Sequence, residues 1–155
     1  MRLMSKQPGF TLLEILLTIG IIAVLATVVV VSLDPVERFK DARDSRRLAD
    51  IESILSAVHQ YVIDNQGSYP AGMDTSERQV GSASSGCSLS GNCAVSTGEC
   101  LDLDSSLERY LKNIPFDPEN GSSARTHYSV QLDDNNIVTV RACDSTDETI
   151  DSVSR

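Results

Sequence analysis

A chain of 155 residues has room for one apolar segment and one modest soluble domain, and little more. Its formal net charge of −9 argues against a general nucleic-acid binder, because phosphate binding relies on Lys and Arg. The absence of Trp and the few aromatics suit a small domain with a thin core.

Residues 1–9 carry Arg2 and Lys6 and no acid. Basic residues beside an apolar segment stay cytoplasmic, which places everything after Leu33 outside the membrane. The apolar stretch is too long for a signal-peptide core, and no small-x-small cleavage site follows it, so it reads as a retained anchor. As a helix, residues 10–31 would cover about 33 Å, enough to cross a hydrocarbon core of about 30 Å. The β-branched residues 28–31 favour helix poorly in water, but in lipid a single segment has no other way to satisfy its backbone. Gly20, Ala23 and Ala26 permit close helix contact. Glu14 is the only charged side chain in residues 10–33. A carboxylate costs about 2.5–3.5 kcal/mol at a helix centre in hydrocarbon and less near the interface. Its bland reading is a charge that snorkels to the headgroups; its functional reading is a partner within the bilayer.

Asp34-Pro35 marks a bend or break. Helical periodicity then resumes, with Val36, Phe39, Leu48, Ile51, Leu55, Val58 and Val62 on one stripe. The opposite face, with Lys40, Asp41, Arg43, Asp44, Arg46, Arg47, Asp50 and Glu52, reads as solvated. Gly67 suits a left-handed cap, so one long helix is expected over residues 10–66, kinked at Pro35. Residues 67–101 read as a Ser/Gly/Cys-rich loop, long enough to make a disulfide staple attractive. Four cysteines, Cys87, Cys93, Cys100 and Cys143, all follow the apolar segment. In an exported domain they read as two disulfides with three possible connectivities. Cys87 and Cys93 are placed to pair locally, leaving Cys100 for Cys143, with the alternatives open.

Residues 102–143 read as a short helix and a β-hairpin. Ser105-Ser106-Leu107-Glu108 has the capping-box form, predicting a helix over 105–113. A strong turn follows at 117–121. Residues 126–132 alternate, with Tyr128, Val130 and Leu132 on one side, and a second strand over 137–143 puts Val138, Val140 and Ala142 on one face. The hairpin is expected to pack on the amphipathic helix. Residues 144–155 read as an acidic, frayed tail. The fold class is α+β: a long N-terminal helix, transmembrane over 10–33 and amphipathic over 34–66, against a small antiparallel sheet.

For catalysis the chain offers little. His59 and His127 read as surface or partly buried histidines, and no zinc spacing, phosphate loop or nucleophile motif is present. Asp133 and Asp134, with Asp117, Glu119 and Asn120 as neighbours, are weak calcium candidates. Such a site needs six to eight oxygens and no EF-hand spacing is present, so no cofactor is assigned.

The stretch Lys6, Gly9, Phe10, Thr11, Leu12, Leu13 and Glu14 resembles the processing site of type IV pilins and type II secretion pseudopilins. The outline of long helix, loop and small C-terminal sheet is similar too, as are residues 67–70 and 114–118. The resemblance implies cleavage between Gly9 and Phe10 by a prepilin peptidase, N-methylation of Phe10, and packing of the long helices into a filament core. It implies as partners other pilins or copies of this chain, an inner-membrane assembly platform and membrane lipid. Some secretion pseudopilins also carry calcium in their C-terminal loops. After cleavage, the Phe10 ammonium and the Glu14 carboxylate of adjacent subunits can pair, relieving both desolvation costs and setting axial register. The expected function is a structural subunit of a pilus or pseudopilus serving adhesion, motility, DNA uptake or secretion. It would be a single-pass precursor in the cytoplasmic membrane with its C-terminal domain outside, then an extracellular or periplasmic filament. The alternative is a membrane-anchored extracytoplasmic binding module that never polymerises; an exported enzyme lacks a convergent nucleophile, base or metal set.

Overall fold

The computed structural model describes residues 9–147 and 151–155. The basic flank with Arg2 and Lys6 lies outside the described residues. The chain forms two compact units, one up to Phe39 and one from Lys40 onward.

In the first unit, helix α1 spans Leu12–Leu33, 22 residues, or about 33 Å at about 1.5 Å per residue. Among the described residues it supplies the one segment long and apolar enough to cross a membrane, and its large side chains lie exposed along its length. The break falls at Asp34, whose φ of 35° is left-handed. Pro35 then opens helix α2, Pro35–Asp64, at a position where its missing N–H costs nothing. Helix thus starts two residues later and stops two earlier than the span 10–66. Val36 and Phe39, expected on the buried stripe, are 62% and 68% exposed.

In the second unit, α2 buries Ile51, Ile54, Leu55, Ala57 and Val58, at spacings of three and four. At its end Gln66 and Gly67 are both left-handed, and the Gly67 amide reaches back to the Val62 carbonyl at 2.9 Å. The stripe shares a core with a four-stranded antiparallel sheet in sequence order: β1 (Arg78–Gln79), β2 (Tyr128–Leu132), β3 (Val138–Ala142) and β4 (Ser152–Ser154). The β2–β3 register sets Tyr128 opposite Ala142, Val130 opposite Val140 and Leu132 opposite Val138, so the alternating apolar residues meet on one face. Each fully buried Ile or Val contributes about 1.5–3 kcal/mol.

Three expectations are corrected here. The segment 67–101 is not wholly loop: β1 pairs with β2, and Val80 and Leu101 are buried in the core. At Gly81, a Cβ would stand 2.3 Å from the Ala124 carbonyl oxygen, so only glycine lets the chain leave β1. The short helix α3, Asp104–Leu107, is one turn and not nine residues; Leu103 occupies the N-cap and makes no side-chain capping bond, so the capping box is unused. The tail expected to fray is ordered at its end, residues 148–150 lying outside the described residues: β4 pairs with β3, Val153 opposite Val140. Its alternation of Ser and Val is a strand signal that the surrounding acids outweighed.

The disulfides are Cys87–Cys100 and Cys93–Cys143, so the local pairing of Cys87 with Cys93 is corrected. The reason is a small ladder. The Cys87 amide bonds the Gly98 carbonyl at 3.1 Å and the Leu89 amide the Val95 carbonyl at 3.0 Å. Cys87 and Cys100 therefore flank the base of a turn, while Cys93 lies at its tip and packs with Val95 and Cys143.

Candidate assembly segment

Gly9 and Phe10 lie outside the helix, and Thr11, just ahead of α1, is extended. Thr11 is the N-cap, with φ −79° and ψ 150°, and its Oγ1 accepts the Glu14 amide at 3.2 Å. The Thr11 carbonyl takes the Glu14 and Ile15 amides at 3.1 and 3.3 Å. Phe10 is 80% exposed, and the Cβ direction of Gly9 is open. Glu14 stands in the first turn, where the positive end of the helix dipole favours an acid by about 0.3–1 kcal/mol. Farther along, Thr18 and Thr27 turn their hydroxyls onto the Ile15 and Ala23 carbonyls, each at 2.9 Å, which satisfies them without water. A shallow apolar groove runs past Gly20, between Leu16, Leu17, Ile21, Val24 and Leu25. The chemistry available is helix packing with one carboxylate, Glu14, and among the described residues neither a side-chain partner nor a bond-breaking group stands near it.

The second unit holds a charged cluster that periodicity assigned to the solvated face. Arg47 is buried and forks onto Asp117, Nε to Oδ2 at 2.6 Å and Nη2 to Oδ1 at 3.2 Å, while Nη1 bonds Asp44 Oδ1 at 2.7 Å. Asp117 Oδ1 also takes the amides of Glu119 and Asn120, and Asp44 Oδ2 takes the Thr146 hydroxyl at 2.5 Å. Burial opposes the charge of Asp117, yet the bonds from Arg47 and the two amides outweigh it and hold the carboxyl below its usual range. Burial likewise opposes Asp44, and Thr146 and Arg47 likewise bring it down. For Arg47, burial is overcome by Asp117 and Asp44, and the guanidinium is held more firmly protonated than usual. The helix period signals the apolar face but cannot show that one Arg on its margin has a fork-shaped partner 70 residues away.

Two of the calcium candidates, Asp117 and Asp133, are engaged by groups of the chain itself. Asp117 is committed to Arg47. Asp133 Oδ1 takes the amides of Ile137 and Asn135 at 2.7 and 2.9 Å, and those bonds, that of Ile137 foremost, lower its pKa. Among the described residues no group of three or more metal-ligating side chains converges. His127 bonds Asp144 at 2.9 Å and His59 faces the Arg155 carbonyl at 3.2 Å.

A family model described as the prokaryotic N-terminal methylation motif matches residues 4–30, enclosing Gly9, Phe10 and Glu14. The chain is also similar to type II secretion system core protein G of Escherichia coli K12, 33% identical over 118 residues that cover 76% of this chain and 70% of that relative. The chain belongs to the pilin and pseudopilin family. No solved structure matches it. As a pseudopilin-family member it is a structural subunit of a pilus or pseudopilus, and its α+β fold, an apolar N-terminal helix and a small antiparallel sheet, is that of the family. The apolar α1 fits a membrane-anchored precursor.

Proposed function

We propose that the chain is made as a single-pass precursor in the cytoplasmic membrane and cleaved between Gly9 and Phe10 by a prepilin peptidase. Phe10 is then N-methylated, and an inner-membrane platform polymerises the subunit through α1 into a pseudopilus that serves protein secretion. The observation that carries this reading is positional: the matched motif frames Gly9 and Phe10, which stand open just ahead of α1. The secretion role is supported by the likeness to core protein G. In the filament, the new Phe10 ammonium of one subunit pairs with the Glu14 carboxylate of another, and lipid is exchanged for helix contact along the Gly20 groove. The two disulfides support a C-terminal unit that folds on the oxidising side of the membrane.

Intact-mass analysis of membrane and shed fractions tests the reading. The expected mature chain begins at a methylated Phe10 and is found in filaments. A chain that keeps its leader and stays in the membrane would overturn the proposal in favour of an anchored module.

A further inference from the structure

We propose that Thr11 is a positioning residue for leader removal: its hydroxyl fixes where α1 begins, and so keeps the Gly9–Phe10 peptide bond outside the helix and reachable. This rests on the reading that cleavage falls between Gly9 and Phe10. A peptide bond inside a helix has its carbonyl and amide turned into the ladder, which denies a peptidase the carbonyl it must attack. Gly9 and Phe10 are outside the helix, and the three bonds converging on Thr11 from Glu14 and Ile15 are what place the start at Leu12.

The sequence contains a rival start. Pro8 suits a first helical position, where its lack of an N–H is no loss and its φ is already set. A helix begun there would draw Gly9, Phe10 and Thr11 into its first turn. The Thr11 hydroxyl decides between the two, because it serves an orphan amide only while Thr11 itself stays outside the helix. Thr11 and Glu14 thereby act together, the first through its side chain and the second through its backbone.

The test uses full-length precursor in lipid vesicles with a prepilin peptidase, comparing wild type with Thr11→Ser, Thr11→Asn and Thr11→Val. Ser and Asn cap helices at least as well as Thr, whereas Val keeps the branched shape and lacks the acceptor. Cleavage of the Ser and Asn variants should stay within about twofold of wild type, and Val should raise KM several-fold at unchanged kcat, since only the extended fraction binds. The Phe10 amide signal in labelled protein should move toward helical values in the Val variant alone. Val cleaved like wild type overturns the proposal. So does Asn failing as badly as Val, which would mean that the peptidase reads the Thr11 hydroxyl directly and not the helix start that it caps. A wild-type chain not cut after Gly9 sinks the cleavage reading itself, and the proposal with it.

Discussion

Arg47 is the bulkiest of the fully buried side chains, and its guanidinium holds two acids that belong to distant parts of the chain. Removing one partner of such a pair strands a charge out of water, at about 3–5 kcal/mol. Asp117→Asn should therefore lower the melting temperature of the second unit sharply, read by circular dichroism in detergent, whereas Glu119→Gln, half exposed, should cost little. The acid side of the stability profile follows from the same bonds. Asp44 and Asp117 are both held below their unfolded value of about 3.9, so their contribution is complete above that pH and disappears as pH falls through the lowered folded values. A melting series should be flat near neutrality and fall below about pH 4, and Asp117→Asn should flatten that fall. Glu14 is the counterpart at the other end of the chain: Glu14→Val should leave membrane insertion intact and abolish filaments, and normal filaments in that variant would refute the intersubunit pairing.

Among the elements, α1, the apolar stripe of α2 and the β2–β3 hairpin were legible because each writes its period into the sequence: an unbroken apolar run, Ile51-Leu55-Val58, and Val138-Val140-Ala142. What stayed hidden were features that depend on a distant partner. β1 is two residues long and has no period at all; β4 is three residues set among acids. Both lie on the edges of the sheet, where shortness discourages pairing with another chain. Deleting residues 151–155 should accelerate amide exchange in β3 while leaving α1 unchanged, since Val140 loses Val153 as its strand neighbour. The matched N-terminal motif was legible because Gly9, Phe10 and Glu14 fall within six consecutive residues; the capping role of Thr11 was not, since a hydroxyl in that position has several possible partners.

For the whole molecule, the two units divide the work. The first exposes its apolar surface and depends on lipid or on other helices to cover it; the second covers its own. The cross-links stabilise only the second, by about 3 kcal/mol for the span of 13 residues and about 4 for the span of 50 in the loop-entropy account. Replacing Cys93 and Cys143 together by Ser should thus lower its melting temperature more than replacing Cys87 and Cys100. The two bridges interleave, because Cys93 lies inside the stretch that Cys87 and Cys100 close. A protease that cuts anywhere between residues 93 and 143 consequently severs the backbone without releasing a piece. The nicked chain would run at full mass on a non-reducing gel and divide only after thiol treatment, so enzymatic damage to an exposed subunit need not loosen its place in the fibre.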